Sequence, residues 1–179
     1  LNRAVIGGPP RRRLRANRAG MRATLAAARP PCRILVAARD GMPPVGGLIA
    51  MPPGSWPLGP PPLWDQLRVL IGQGIATARR WGRVFDALQS THPVAPHFYL
   101  ALVGVAPDHQ GGGIGAALVA RWLEEVDALR TAAFLETDRP ELLTFYRRFG
   151  FSPVESTDLF GVPVHLLWRR AVTGAGPGG

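Results

Sequence analysis

The sequence predicts an α/β domain built on a mixed β-sheet. Three observations support this class. Short β-type runs alternate with helical stretches, a glycine-rich turn joins a buried strand to a helix, and two consecutive short strands close the chain. The 179 residues are enough for one domain with a substantial core. We expect a basic, helical N-terminal segment at 1–31, the main domain at 32–170 and a flexible tail at 171–179.

The first half of the chain is predicted to contain mostly short elements. In order, these are a basic helix at 11–28, a β-hairpin formed by 33–38 and 45–50, a proline-rich loop at 52–62 and two helices within 63–88. Asp40-Gly41 supplies the turn of the hairpin, and the glycines at Gly72 and Gly74 supply a hinge between the two helices.

The second half is more regular. It is predicted as a strand at 98–105, a helix from residue 114, a strand at 132–136, a helix at 138–149, and strands at 152–156 and 162–168. The apolar stripe of the first of these helices consists of Ile114, Leu118, Trp122, Val126 and Leu129. Asp138 followed by Glu141 is typical of a capping box at the start of the second helix.

The positive charge is concentrated at the N-terminus. Residues 1–39 contain ten arginines and no acid, whereas residues 40–179 contain eleven arginines and twelve acids. Any nucleic-acid contact would therefore use the N-terminal segment. The arginines concerned are Arg11, Arg12, Arg13, Arg15 and Arg18. Because no aromatic residue lies near them in sequence, a solvated helix face is favoured, and nucleic acid is not an expected partner.

Composition also indicates the cellular compartment to expect and whether a metal site is expected. The single cysteine, Cys32, cannot form an internal disulfide, and no apolar run reaches the roughly 18 residues that a membrane helix needs. No secretion signal is recognisable, so a cytoplasmic protein is expected. No cluster of His, Cys and acidic residues has metal-ligand spacing, so no metal is expected.

The segment Gln110-Gly111-Gly112-Gly113-Ile114-Gly115 can bind phosphate groups. A glycine turn at a helix N-terminus exposes unpaired N–H groups to an anion. Two other interpretations remain open: a purely structural turn, and a dinucleotide fingerprint formed by Gly111, Gly113 and Ala116, with Glu136 about 20 residues on. Five residues separate the strand from the first glycine, and the chain ends early, which disfavours the fingerprint.

Two motifs then occur in a fixed order. Val105-x-Pro107-x-x-Gln110-x-x-Gly113-x-Gly115, followed by Tyr146-x-x-x-Gly150-Phe151, resembles the paired signatures of the GNAT acyl-CoA N-acyltransferases. The stretches HPVAPHFYLALVGVAPDHQGGGIG and AFLETDRPELLTFYRRFGF resemble more narrowly the branch that contains puromycin N-acetyltransferase. The resemblance is close over 92–170, loose over 32–55 and absent over 1–20.

The resemblance implies a GNAT-like twisted sheet, flanked by helices, in which the strand of the first motif splays from its neighbour to bind pantetheine. It implies acetyl-CoA as co-substrate, bound by Leu102, Val103, Gly104, Val105, Gln110, Gly111, Gly112, Gly113, Ile114 and Gly115. It also implies that Tyr146 protonates the departing thiolate, which suits a phenol with an ordinary pKa near 10. Alternatively, Tyr146 continues an apolar helical stripe with Leu142 and Phe149 as a core residue.

The general base is less determined than the acid. Glu136, at a strand end, is the first candidate, and Asp108 and His109 are weaker ones. The chain also departs from the family pattern. Arg139 and Leu142 occupy the two positions where relatives often have a pantetheine-contacting asparagine. Residues 1–10 do not supply the strand and helix with which the family usually opens.

The expected activity is transfer of an acetyl group to a primary amine of a small molecule, by direct attack in a ternary complex. Transfer through a cysteine is disfavoured because Cys32 is remote from both motifs and has no evident activating partner. Two alternatives stay open: a GNAT-like module that binds acyl-CoA without catalysis, and nucleic-acid binding through the basic segment.

Overall fold

The chain forms two compact units in a computed structural model that describes residues 1–173. The helical unit contains Leu1–Arg29, Pro57–Val94 and Thr157–Val164, and the sheet unit contains Pro30–Trp56, Ala95–Ser156 and the chain from His165. Each unit is described by itself. The flexible tail was predicted largely for residues 174–179, which lie outside the described part.

Four helices form most of the helical unit. They are α1 (Asn2–Ile6), α2 (Pro10–Ala27), α3 (Leu63–Gln73) and α4 (Ile75–Thr91). The predicted hinge between the last two is confirmed, because Gly74 has a φ of 82° between them. Helix α1 was not expected from residues 1–10. It forms because the Leu1 carbonyl accepts the N–H groups of Ala4 and Val5, and because Val5 is fully buried.

Helices α2 and α3 approach closely at two glycines. A Cβ atom added to Gly72 would lie 2.9 Å from Ala19 Cβ, and one added to Gly20 would lie 2.8 Å from Gln73 Nε2. Buried Gln73 donates from that nitrogen to the Ala16 carbonyl at 3.1 Å. Gly20, the glycine within the basic helix, therefore allows α3 to pack closely and does not interrupt α2.

A mixed six-stranded sheet is the main feature of the second unit, as predicted, although the adjoining ends of its last two strands belong to Thr157–Val164. Its strands are β1 (Arg33–Ala37), β2 (Gly46–Met51), β3 (His97–Val105), β4 (Ala132–Thr137), β5 (Ser152–Asp158) and β6 (Pro163–Arg169). Their spatial order is β1-β2-β3-β4-β6-β5. The β1–β2 hairpin, the β2–β3 pair and the β4–β6 pair are antiparallel, whereas β3 and β4 are parallel.

Two helices cover one face of this sheet. Helix α5 spans Ile114–Ala128 and α6 spans Leu142–Arg147. Trp122 of α5 packs with Phe98 of β3 and Leu135 of β4 in a buried cluster. The prediction that Leu129 continues the apolar stripe is wrong: it lies beyond α5 and is 59% exposed. The chain leaves the helix there because Arg130 adopts a φ of 49°.

The predicted capping box at Asp138 and Glu141 is also wrong. Helix α6 begins at Leu142 without a side-chain cap. The side chain that stabilises this turn is Thr137, whose Oγ1 accepts the Arg139 N–H at 3.2 Å. Glu141 instead pairs with the Arg139 guanidinium at 2.8 Å. Glu141 thus forms an ion pair with Arg139 and not the capping hydrogen bond that the spacing suggested.

Each helix within residues 1–173 is too short or too polar to cross a lipid bilayer.

Candidate active site

The glycine segment forms a loop between the end of β3 and the start of α5. A 3-10 turn at Pro107–His109 follows β3. Gln110 then anchors the loop, because its Nε2 donates to the Val105 carbonyl at 3.0 Å. Asp108 and His109, the weaker base candidates, lie exposed on this turn. The five residues between β3 and the first glycine, 106–110, thus form a turn that the Gln110 side chain anchors.

Two glycines of this loop need the left-handed backbone. Gly111 has a φ of 81°, and Gly113 has a φ of 80° and forms the N-cap of α5. A Cβ added at either position would meet nothing within 4 Å. The conformation, rather than crowding by the protein, therefore requires glycine, and the space outside both residues is open to a ligand.

The N-terminus of α5 is arranged to receive an anion. Its first intrahelical bond runs from the Ala117 N–H to the Gly113 carbonyl, at 2.9 Å. The N–H groups of Ile114, Gly115 and Ala116 therefore have no intrahelical acceptor. No side chain caps this end, and the first turn contains no acid. Unpaired donors and the positive end of the helix dipole favour a phosphate at this position.

Strand β3 separates from β4 beside this loop. The two pair in register over only three residues, His97–Tyr99 against Ala132–Phe134, although the structure continues β3 to Val105 and β4 to Thr137. Ala101 has no partner in β2, because Ile49 pairs with Leu102 and Ala50 with Leu100. This bulge bends β3 at the point where it leaves β4.

The separation leaves the second half of β3 with one free edge. Leu102, Val103, Gly104 and Val105 all pair with β2, while their edge toward β4 has no strand partner in the part of the chain that the structure describes. Such an edge offers backbone donors and acceptors to an extended ligand. The four predicted strand residues thus line a free edge that leads, through the turn at Pro107–His109, into the six-residue loop.

Tyr146 lies in α6 with its ring in the core. It is 4% exposed and contacts the rings of Phe145 and Phe151, at centroid distances of 5.0 and 6.0 Å. Burial raises the pKa of Tyr146 to about 12. The ring therefore packs as a core residue, and the phenol is protonated at neutral pH; that Tyr146 is the acid stays a prediction.

Glu136 forms a hydrogen-bonded pair with Tyr99. The Tyr99 hydroxyl donates to Glu136 Oε2 at 2.6 Å, and Glu136 Oε1 is buried without a hydrogen-bond partner among the described residues. Burial raises the pKa of Glu136 from 4.5 to about 7, although the bond from Tyr99 lowers it in part. Burial and the neighbouring carboxylate also raise the pKa of Tyr99. A carboxyl group with this pKa can exchange a proton at neutral pH.

Tyr146 and Glu136 belong to opposite faces of the sheet. Tyr146 packs in the same cluster as Phe98 and Leu135. Tyr99 and Glu136 are the next residues along those two strands, and successive strand side chains point to opposite faces. Both faces border the opening that forms where β3 and β4 separate.

Sequence reasoning did not select Tyr99 as a site residue. The available signal was its position in β3 between Phe98 and Leu100, both buried in the core cluster, which places Tyr99 on the other face. The partner on β4 was not recognisable, because the pairing register of the two strands cannot be read from the sequence.

The two positions where relatives often have an asparagine carry no side-chain amide in this chain. Arg139 is exposed and pairs with Glu141, and Leu142 packs at the edge of the core, so neither side chain offers an amide. No group of three or more His, Cys, Asp or Glu side chains within residues 1–173 is arranged to hold a metal ion.

Comparison with known proteins finds similarity in part of the sequence and in the fold. Residues 71–153, somewhat under half of the chain, match the model described as "Acetyltransferase (GNAT) domain", and this span includes the glycine loop and Tyr146. The mixed sheet flanked by helices is the fold of GNAT-like acetyltransferases. One similar structure is described as histone acetyltransferase HPA2 and related acetyltransferase, from Corynebacterium glutamicum (TM-score 0.65, 21% identity, covering 95% of this chain and 81% of that chain).

More particular relatives come from sequence comparison. A mycothiol acetyltransferase of Saccharomonospora viridis is 31% identical over 87 residues, which are 47% of this chain and 28% of that protein. A mycothiol acetyltransferase of Pseudarthrobacter chlorophenolicus is 29% identical over 84 residues, 45% of this chain and 25% of that protein. The aligned residues thus span about a quarter of the length of these curated relatives.

Proposed function

We propose that this protein transfers an acetyl group from acetyl-CoA to a primary amine of a small molecule, by direct attack in a ternary complex. The observation that carries the proposal is the opening between β3 and β4. A free strand edge and a loop with unpaired N–H groups lie beside this opening, and we assign the buried phenol of Tyr146 and the carboxyl group of Glu136 as its acid and base. The GNAT domain match and the mycothiol acetyltransferase relatives support acetyl transfer as the chemistry.

The binding half of the site would use backbone groups. The pyrophosphate of acetyl-CoA would accept hydrogen bonds from the N–H groups of residues 111–115, and pantetheine would pair with the free edge of residues 102–105. The open space outside Gly111 and Gly113 fits this role, because a side chain at either position would occupy it. No asparagine is available from Arg139 or Leu142, so the strand edge would carry the pantetheine contacts.

The chemical half would use both faces of the sheet. The amine nitrogen attacks the thioester carbonyl carbon, a C–N bond forms and the C–S bond breaks. Tyr146 would give its proton to the departing sulfur, and Glu136 would take a proton from the amine through its unpartnered Oε1. The products are an amide and free CoA, and both side chains recover their protonation state from solvent.

This placement supports direct attack. Tyr146 and Glu136 lie on opposite faces, so the thiol would leave on one side of the opening while the amine enters on the other. Both substrates would then be bound at once, and no enzyme nucleophile is required. The proposed site supplies an acid and a base, and the mechanism does not use a cysteine.

Binding calorimetry with one loop variant tests the cofactor half. Gly113→Glu introduces a charged side chain at a φ of 80°, where the pyrophosphate would lie. We expect it to weaken acetyl-CoA binding at least tenfold, about 1.4 kcal/mol. Gly161→Glu is the matched control, because Gly161 has a φ of 74°, equally open surroundings and a position in the β5–β6 turn.

Three outcomes would contradict the cofactor assignment. Unchanged acetyl-CoA affinity in Gly113→Glu would remove the loop from the site. An equal loss in Gly161→Glu would assign the effect to backbone strain. Binding of NADH in place of acetyl-CoA would favour the dinucleotide interpretation of the same glycines.

A further inference from the structure

A basic groove lies within the helical unit, on residues for which acetyl transfer gives no role. It has a volume of about 560 Å³ and is lined by α2 and α3. The lining residues are Arg11, Leu14, Arg15, Arg18, Ala19, Arg22, Asp65 and Arg68. Five guanidinium groups thus face one carboxylate.

The four arginines of α2 lie on one helix face. Positions 11, 15, 18 and 22 are separated by four, three and four residues, the spacing at which helical side chains become neighbours. The rise of 1.5 Å per residue spreads them over about 16 Å. They therefore present a row of bidentate donors, the geometry that suits phosphate oxygens.

This row is electrostatically unfavourable in the free protein. Like charges three or four residues apart on a helix repel, and cations at a helix N-terminus oppose the helix dipole. Helix α2 contains no acid, and its first turn includes Arg11, Arg12 and Arg13. Asp65 is the one acid that lines the groove within the described residues, and it lies 3.6 Å from Arg68 of its own helix. Among residues 1–173, the four arginines of this row form no salt bridge.

We propose that this groove binds a small molecule carrying two or more phosphate groups. Its volume lies within the range of small-ligand pockets, about 300–1,000 Å³. Nucleic acid fits less well, because the side chains that line the groove include no aromatic ring on which a base could stack. A compact polyphosphate would bridge neighbouring arginines and relieve their repulsion.

Tripolyphosphate titrated into the full chain at physiological salt is the direct test. We expect saturable binding by calorimetry and a higher unfolding temperature, because a ligand that binds the folded state stabilises it. Arg15→Gln/Arg18→Gln should weaken tripolyphosphate binding at least tenfold. The control Arg12→Gln/Arg29→Gln removes the same charge from outside the groove, and it should stay within about twofold of the parent.

One further double variant separates the effect of side-chain geometry on affinity from the effects of charge and of misfolding. Arg15→Lys/Arg18→Lys keeps both charges but loses the planar fork, so we expect a loss between those of the control and of the glutamine variant. Circular dichroism of every variant should match the parent. If the glutamine variant does not fold, the lysine variant decides: parent-like affinity would overturn the proposal.

Three further results would overturn the proposal. The first is failure of tripolyphosphate to bind the parent. The second is an equal loss of affinity in the control and the groove variant, which would assign binding to net charge. The third is submicromolar binding of a 20-base-pair DNA duplex through the same arginines, tighter than that of tripolyphosphate. None of these results depends on acetyl transfer, so this proposal and the proposed function fail separately.

Discussion

Tyr146 combines two properties that the sequence presented as alternatives. Its ring packs beside Phe145 and Phe151, and its phenol has a pKa raised to about 12 by burial. A buried phenol stays protonated and so remains able to donate a proton to a thiolate. Packing and proton donation are therefore compatible at this residue.

Replacing Tyr146 with phenylalanine removes one oxygen and keeps the ring. We expect the turnover rate to fall roughly a hundredfold to ten-thousandfold, while acetyl-CoA affinity stays within a few-fold, because only the proton donor is lost. Steady-state kinetics and calorimetry on the same preparation measure both quantities. A variant that turns over like the parent would leave Tyr146 as a core residue only.

If Glu136 is the base, the Glu136–Tyr99 pair should give the proposed reaction its pH dependence. Glu136 acts as a base only when deprotonated, so kcat/KM should rise with pH through about 7, the pKa to which burial raises this carboxyl. The Tyr99 hydroxyl lowers that pKa, so Tyr99→Phe should shift the rise to higher pH. Glu136→Gln should abolish the rise near 7 and leave any titration of the amine itself.

The two tyrosines serve as controls for each other in this measurement. They are the two tyrosines of the chain and lie on opposite faces of the sheet. Tyr146→Phe should lower the rate without moving the pH at which the activity rises. A pH profile that is identical in the parent, Tyr99→Phe and Glu136→Gln would exclude Glu136 as the base.

At the scale of elements, Arg169 connects three parts of the sheet unit. From β6 it donates from Nη1 and Nη2 to the Asp127 carboxylate of α5, at 2.5 and 2.9 Å. It also donates from Nε to the Phe149 carbonyl just after α6, at 2.8 Å. The Arg169 side chain is 14% exposed, so these bonds form in partial shelter from water. They hold both helices of the site against the sheet.

Breaking this connection should cost more than breaking a surface ion pair. Asp127→Asn should lower the free energy of unfolding by about 1–3 kcal/mol, because it leaves a sheltered guanidinium without its counter-charge. The matched control is Glu124→Gln on the same helix, whose pair with Arg121 is exposed; it should cost about 0–1 kcal/mol. Urea unfolding measures both, and equal losses would contradict the connecting role.

The elements differ in how far the sequence could predict them. The hairpin, the hinge at Gly74 and the strand before the glycine loop followed from alternation and turn residues, which act locally. The α5 stripe was predicted one turn too long, because the positive φ at Arg130 is not typical of arginine. The capping box failed because Glu141 has a nearer partner in Arg139.

The candidate site could be predicted where its residues lie within short, local motifs. The glycine loop and Tyr146 lie within short motifs, so their positions were readable. The bond between Tyr99 and Glu136 joins residues 37 positions apart and depends on strand register, which the sequence does not specify. The register of β3 with β4 also decides where the two strands separate.

At the scale of the whole molecule, charge is divided unequally along the chain. Ten arginines precede the first acid, and the remainder is nearly balanced. In the helical unit, four of those arginines line the groove, whereas the acid and the base of the proposed reaction lie in the sheet unit. The branch with puromycin N-acetyltransferase, the cytoplasmic location and a small primary amine as acceptor remain predictions.

The central claim is that this protein uses acetyl-CoA to acetylate an amine. The direct measurement combines thiol release from acetyl-CoA with mass spectrometry of the products, over a panel of small primary amines at pH 8. We predict that at least one amine gives an acetylated product in equal amount to the CoA released, well above the hydrolysis seen without amine. Binding of acetyl-CoA without an acetylated product from any amine would contradict the claim and favour a non-catalytic acyl-CoA-binding module.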